Sequence, residues 1–318
     1  MMHIPPLIFG NMANRQSDDQ SRITLFHYAV DIGITTFDTA PLYEFGRAER
    51  QLGEAFGNSV DVQVFTKVGL RWGDDARGDI LFEFTDEHGH RRAVRKDSRP
   101  EAVRLDVEES LRRLNRDTLD LVQIHHPDVY TPIDETMGVL LDLKAAGKIR
   151  QIGVSNFMPA QIENAQQALG ETPIATLQPD YSLLNRYIER EIVDLCQHKG
   201  IRIISYSPLA HGLLAKSPGR QLPRRIRNAV HTLTTIARNH DVSPAVIALA
   251  WVCHQPGISA PIFGASNQSQ LEELVGATSV HLSQEALAEL DDAFSEWRMA
   301  SIARKAKMVV KRLLGRGG

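Results

Sequence analysis

The chain has 318 residues, 42% of them hydrophobic and 24% charged, with a formal net charge of -3. That apolar share fills a large core, which marks an ordinary globular protein, and the near-neutral balance gives no reason to expect nucleic acid as a partner. The 12 histidines are dispersed without metal-ligand spacing, so no metal is expected. Cys196 and Cys253 lie far apart in helical-looking segments and read as buried, reduced thiols. The opening MMHIPPLIFGNM lacks the parts of a secretory signal, and no apolar run approaches the ~18 residues of a membrane span, so a cytoplasmic protein is expected.

Along the chain, short apolar or β-branched runs alternate with amphipathic helical stretches. Strands are expected at 6–12, 34–39, 62–68, 119–125, 151–155, 176–181, 201–207 and 258–264. Several are continuously apolar, as parallel strands covered on both faces are. Helices are expected at 18–32, 48–56, 100–114, 132–146, 159–169, 188–199, 225–239 and 268–277. Gly147 and Gly200 mark helix ends, while Pro100 and Pro159 suit first turns. Eight βα units imply either a closed (β/α)8 barrel or an open doubly wound sheet. No G-x-G-x-x-G follows the first strand, and polar residues gather at strand C-terminal ends, so the α/β fold is read as a (β/α)8 TIM barrel filling 1–318 as one domain.

Three segments fall outside the repeat. Residues 71–99 contain ILFEFTDEHGHRRAVRK, two strand-like runs around a Gly-containing turn, which predicts an inserted hairpin. Residues 209–224 form a Gly/Pro/basic loop long enough to be a lid. The tail, 298–318, carries seven Lys or Arg and no acid, with apolar residues at helical spacing. Such a basic amphipathic helix suits a membrane surface or a partner protein, but packing on its own barrel or on a second copy is the expectation here. Monomer and homo-oligomer both stay open.

Four polar residues interrupt or end apolar strands: Asp38 and Tyr43 in TTFDTAPLYEFGRAERQLGEAF, Lys67 in VQVFTKVG, and His125 in LDLVQIHHPD. Each alone reads as a structural ion pair or a satisfied core histidine. Together, at the ends of consecutive barrel strands, they point to proton transfer to a carbonyl oxygen. Tyrosine titrates near ~10, and a nearby ammonium stabilises its phenolate. An aspartate holds the lysine charged, and a histidine opposite orients the substrate oxygen.

These motifs resemble the aldo-keto reductase superfamily along nearly the whole chain. DTAPLY, GRAERQLG, FTK, LDLVQIH, IGVSNF, LQPDYSLLNR, ISYSPLAHGLL and PIFGAS follow in family order. The resemblance implies reduction of an aldehyde, ketone or sugar as small-molecule substrate, with Asp38, Tyr43, Lys67 and His125 as the catalytic tetrad. His125 is taken over His126 because it directly follows the apolar strand. The resemblance also implies cofactor contacts from Gly10, Asn11, Met12, Asp38, Ser155, Asn156 and Gln178. Further contacts are implied for Tyr206 stacking on nicotinamide, for Ser207, Pro208, Leu209, Gly212 and Lys216 over the pyrophosphate, and for Gly264, Ala265, Ser266, Gln270 and Glu273 at the adenosine end. Trp72, His126 and Tyr130 would line the substrate pocket.

Two departures bear on these expectations. The resemblance favours NADP over NAD, but the places where NADP-using relatives put a cation read Ser266, Asn267 and Gln270, with Leu274 where Asn is common. Lys216, Arg220 or Arg224 of the lid is left to meet a 2′-phosphate. Glu44 replaces a glycine that often follows the catalytic tyrosine, which either narrows the pocket or adds charge to it. Two other functions fit the same motifs: a redox-sensing cofactor-binding subunit with little turnover, and an NAD-dependent sugar or polyol dehydrogenase.

Overall fold

A computed structural model describes residues 3–12, 18–86, 88–215 and 222–298. Eight parallel strands close into a barrel: β1 (Ile8–Gly10), β2 (Thr36–Asp38), β3 (Gln63–Val68), β7 (Leu119–Ile124), β8 (Ile149–Ser155), β9 (Thr176–Gln178), β10 (Arg202–Ser205) and β11 (Ile258–Phe263). The order around the barrel is β1-β11-β10-β9-β8-β7-β3-β2. The fold is the (β/α)8 barrel read from the sequence. Seven of its strands are shorter than expected and β8 begins earlier, at Ile149. Every residue of β7 is buried, which is why it reads as an unbroken apolar run.

The helices between the strands are α1 (Asp19–Asp31), α2 (Arg47–Phe56), α3 (Pro100–Leu114), α4 (Ile133–Ala145), α5 (Pro159–Leu169), α6 (Ile192–Lys199), α7 (Arg224–Asn239), α8 (Pro244–Cys253), α9 (Gln268–Val275) and α10 (Gln284–Ala293). Two of these were not expected. Ala245 through Val252 of α8 are all buried, so the helix has no polar face to give a 3.6-residue period. Its local signals are Ser243, whose hydroxyl accepts the Val246 N–H, and Pro244 in the first turn. Among the described residues no helix is long and apolar enough to cross a membrane. Cys196 is buried, but Cys253 is only half-buried, because it sits at the end of α8.

Contacts group the chain into two compact units. The first contains Thr24–Thr36 and the chain from Gln178, with the residues up to Gly10. Here β1 pairs with β11 and β11 with β10, in parallel. Arg186, fully buried, reaches Glu189 at 2.7 Å and lies 4.8 Å over the Trp251 ring, which stacks on Tyr181 at 5.4 Å. Part of the LQPDYSLLNR motif therefore packs the core.

The second unit contains Asn11–Ile23 and Phe37–Leu177. Its strands β3, β7 and β8 run parallel in a register that sets Lys67 beside Gln123, and Gln123 beside Gly153. A Cβ on Gly153 would come within 2.3 Å of Thr176 Oγ1 and 2.9 Å of Gln123 Cγ, so only glycine fits beside that polar pair. The expected hairpin is a three-stranded antiparallel sheet in the order β4-β6-β5, formed by β4 (Leu70–Arg71), β5 (Ile80–Thr85) and β6 (Arg91–Lys96). Its two-residue strand β4 continues directly from β3 and is tied to α3 by Arg71 Nη1 and Asp106 Oδ1 at 2.5 Å. The basic tail beyond Arg298 lies outside the described residues, as do Lys216 and Arg220.

Candidate active site

Three strands of the second unit present the polar residues at their C-terminal ends. Asp38 ends β2, Lys67 is the penultimate residue of β3, and His125 directly follows β7, its N–H donating to the Val68 carbonyl at 2.9 Å. Lys67 is 1% exposed, and its Nζ donates to Asp38 Oδ1 at 2.5 Å and to the Thr39 carbonyl at 2.9 Å. The same Nζ lies 4.9 Å from the centre of the Tyr43 ring, and Tyr43 meets His125 edge-on at 5.9 Å. All four expected residues thus converge.

The electrostatics differ in sign from the sequence expectation at one point. Burial raises the Tyr43 phenol above its ordinary value; Lys67 pulls it down, Asp38 pushes it up, and the net direction is up. Burial works against the Lys67 charge, but Asp38 and Tyr43 outweigh it, so the ammonium holds its proton more tightly than usual. His125 is held well below an ordinary histidine by burial and by Lys67 and His126. His126, stacked on it at 5.5 Å, is lowered to about 4 by burial and Lys96. The group therefore combines a tyrosine that keeps its proton, a permanent cation beneath it and two neutral imidazoles.

Tyr43 opens a 3-10 turn in which Glu44 (φ 50, ψ 36) and Phe45 (φ 51, ψ 49) both take left-handed backbone. That region costs an L-residue roughly 1–2 kcal/mol, which explains the glycine common after this tyrosine. Both strained residues are anchored. Glu44, 9% exposed at its side chain, sets Oε2 3.2 Å from Arg47 Nη1, and its charge also acts on buried Arg22. Phe45 stacks on Phe84 at 4.7 Å and meets Trp72 at 5.2 Å. Glu44 is therefore turned toward arginines, and Phe45 joins the turn to the inserted sheet. Of the expected pocket residues, Trp72 and His126 adjoin this group, whereas Tyr130 is 69% exposed and makes no ring contact among the described residues.

The residues expected to hold a cofactor fall in both units. In the second unit, the Asn11 side chain is 1% exposed and spent on protein, donating to the Ala48 carbonyl at 2.9 Å and accepting from Arg22 Nε at 3.0 Å. Met12 is 60% exposed. Ser155 is buried at the end of β8, and Asn156, left-handed at φ 63, donates to the His125 carbonyl at 3.0 Å. In the first unit, Gln178 is buried at the end of β9, Gly10 ends β1, and Tyr206 follows β10. The loop after Tyr206 through Gly212 has positive φ at Ser207, Ala210, His211 and Gly212. Leu209 (φ -93, ψ 15) is followed by left-handed Ala210, and the turn is closed from within, the Ala210 N–H donating to the Ser207 carbonyl and the Gly212 N–H to the Leu209 carbonyl, each at 2.9 Å. Gly264, Ala265 and Ser266 follow β11; the Ser266 N–H donates to Gln270 Oε1 and the Gln270 N–H to Asn267 Oδ1, each at 2.9 Å. Glu273 is exposed on α9.

Residues 6–294 match the model of the aldo/keto reductase family. The chain belongs to that family. An aldo-keto reductase of Bacillus subtilis is 33% identical over 291 residues, covering 85% of this chain and 82% of the relative. The NADH-specific methylglyoxal reductase of Escherichia coli is 32% identical over 295 residues, covering 86% and 87%. Among solved structures, the glycerol dehydrogenase of Gluconobacter oxydans superposes with a TM-score of 0.79 at 30% identity, covering 93% of each chain. Aldo/keto reductases are oxidoreductases that act on small carbonyl compounds with nicotinamide cofactors. The chain is such an oxidoreductase.

Three residues of this aldo/keto reductase site escaped the sequence reading. Arg22 hides among the polar residues of α1 although it is 4% exposed, and Phe45 gives no sign that its backbone turns it onto the insertion. Lys96 sits in the basic run RRAVRK, where nothing in the sequence sets its charge, which acts on His126, apart from Arg92 and Arg95, half-buried like it.

Proposed function

We propose that this protein is a cytoplasmic reductase that converts a small aldehyde or ketone to the alcohol, with Tyr43 as proton donor. The observation that carries this reading is the Lys67 ammonium, buried between Asp38 and the Tyr43 ring beside a neutral His125. As carbonyl oxygen gains charge, Tyr43 releases its proton to it, and the ammonium 4.9 Å from the ring centre stabilises the phenolate left behind. Asp38 fixes the ammonium in place. His125 offers the oxygen a hydrogen bond without adding a second positive charge. The nicotinamide cofactor, when bound, supplies the hydride.

Ser155, Asn156 and Gln178 would hold the carboxamide, Tyr206 the ring face, and Ser207, Pro208, Leu209 and Gly212 the pyrophosphate. At the adenosine end, residues 264–275 contain no Lys or Arg and two acids, Glu272 and Glu273, so NADH is the cofactor this chain favours. The same tetrad runs alcohol oxidation in reverse, with the Tyr43 phenolate taking the alcohol proton, so direction follows from substrate supply and pH.

Tyr43→Phe keeps the ring and removes the proton. Reduction of a generic aldehyde should fall on the order of 10²–10⁴-fold, while NADH affinity by fluorescence titration stays within error. Comparable turnover in that variant would overturn the assignment, and absence of turnover in the unaltered protein with any carbonyl would favour a redox-sensing subunit.

A further inference from the structure

The inserted sheet brings a cation, Lys96, to the imidazole of His126 beside the tetrad, and the reduction of a carbonyl does not itself require it. In the antiparallel register Phe82 opposes Val94 and Phe84 opposes Arg92, and Lys96 opposes Leu70. Cross-strand partners and residues two apart share a face, so Phe82, Phe84, Arg92, Val94, Lys96 and Leu70 lie on one side of the sheet. That side is the inner one: Val94 is fully buried, Leu70 is 3% exposed, and Phe84 stacks on Phe45 of the Tyr43 turn. Further along the same face, Lys96 acts on the imidazole of His126, which stacks on His125, which meets Tyr43.

The arginines on the strands of the insertion are engaged. Arg71 pairs with Asp106, Arg91 with Glu83, Arg92 with Asp74, and Arg95 donates to the Gly78 carbonyl. The neighbouring carboxylates are engaged too. Asp97 takes Arg99 at 2.8 Å, and Asp128 accepts from the N–H groups of Ser98 and Tyr130 and from the Thr131 hydroxyl. Among the described residues the Lys96 ammonium has no carboxylate within 4.0 Å. Lys96 is therefore a half-buried cation beside the His125–His126 stack with a place open for an anion.

We propose that Lys96 completes its pair with the substrate, and that this reductase acts on carbonyl compounds bearing a carboxylate or phosphate remote from the reacting carbon. The proposal rests on the tetrad reading above and names its substrate class. The aromatic face of Phe45, Trp72 and Phe84 covers the carbon chain, and Lys96 receives the anion by a charge-assisted hydrogen bond. A lysine rather than a bidentate arginine suits an anion whose geometry is not fixed.

The test compares matched aldehydes differing only in the anion: butanal against 4-oxobutanoate, and glyceraldehyde against glyceraldehyde 3-phosphate. In the unaltered protein the anionic member of at least one pair should have a kcat/KM about tenfold higher or more. The preferred pair tells carboxylate from phosphate. In Lys96→Gln the anionic-to-neutral ratio should collapse toward one, whereas Lys96→Arg should retain most of it, and raised salt should lower it in the unaltered protein. A ratio near one in the unaltered protein, or an equal fall for both members in Lys96→Gln, overturns the proposal. If neutral aldehydes are reduced through Tyr43 while the ratio is flat, the reductase reading stands and only the Lys96 assignment fails. If Tyr43→Phe changes nothing either, both fall.

Discussion

Tyr43 is the residue on which the chemistry turns, and its environment sets a pH behaviour different from that of a lysine-activated phenolate. A phenol raised by burial keeps its proton through neutral pH, which is the state a proton donor needs. Reduction should therefore be flat across neutral pH and decline only above the ordinary tyrosine value of ~10. Alcohol oxidation needs the phenolate, so its kcat/KM should rise with pH over the same range. His125 and His126 are both held below 6.5, the latter at about 4, so neither contributes a step near an ordinary histidine value. Measured pH profiles in both directions check this. A limb between about 6 and 7 in reduction would transfer the proton-donor role to an imidazole. Lys67→Met removes the one downward pull on the phenol, so the oxidation limb should move to still higher pH.

The elements hold these residues by close approach as much as by charge. Helix α2 carries the Leu-Gly pair of the GRAERQLG stretch, and a Cβ on Gly53 would come within 2.3 Å of the Arg113 carbonyl oxygen and 2.8 Å of the Leu114 carbonyl carbon. These are backbone atoms of α3, which cannot rotate aside. Beside this contact Glu49, fully buried, accepts from Arg113 at 2.6 Å and from the Thr66 hydroxyl at 2.6 Å, one residue before Lys67. On an open helix Gly→Ala gains roughly 1 kcal/mol. Here overpacking, about 1–3 kcal/mol or more, outweighs that gain. Gly53→Ala should lower Tm by several degrees in a thermal melt, and a raised Tm would show that α2 and α3 separate freely. The glycine was visible in the sequence, but its reason was not, because a helix-helix contact leaves no local signature. Asp38, Lys67 and His125 were legible because each breaks an apolar strand. By contrast, α8 was invisible because it is apolar on every side, and β4 because two residues make no period. Glu44 could be seen as a departure but not aimed, since the left-handed backbone that turns it toward Arg47 is unexpected for any residue except glycine.

At the scale of the whole molecule, cofactor choice and stability are one measurement. A ligand that binds only the folded chain stabilises it by RT ln(1 + [L]/Kd), about 2.7 kcal/mol at a hundred times Kd. NADPH differs from NADH by one phosphate, and that group gains affinity only where a cation meets it. After β11 the described backbone donors at Ser266 and Gln270 are already spent on Gln270 and Asn267 side chains. The acids that follow, Glu272 and Glu273, repel an added dianion, and Glu272 is further fixed by a hydrogen bond from Tyr28. NADH should therefore raise Tm more than NADPH at equal concentration, with the gap shrinking as salt screens the acids. Replacing Gln270 by Arg removes the Ser266 cap and supplies the missing cation, so it should narrow the gap from the NADPH side. A larger shift with NADPH in the unaltered chain would mean that a cation from outside 264–275 reaches the ribose, and would reverse the cofactor assignment without touching Tyr43.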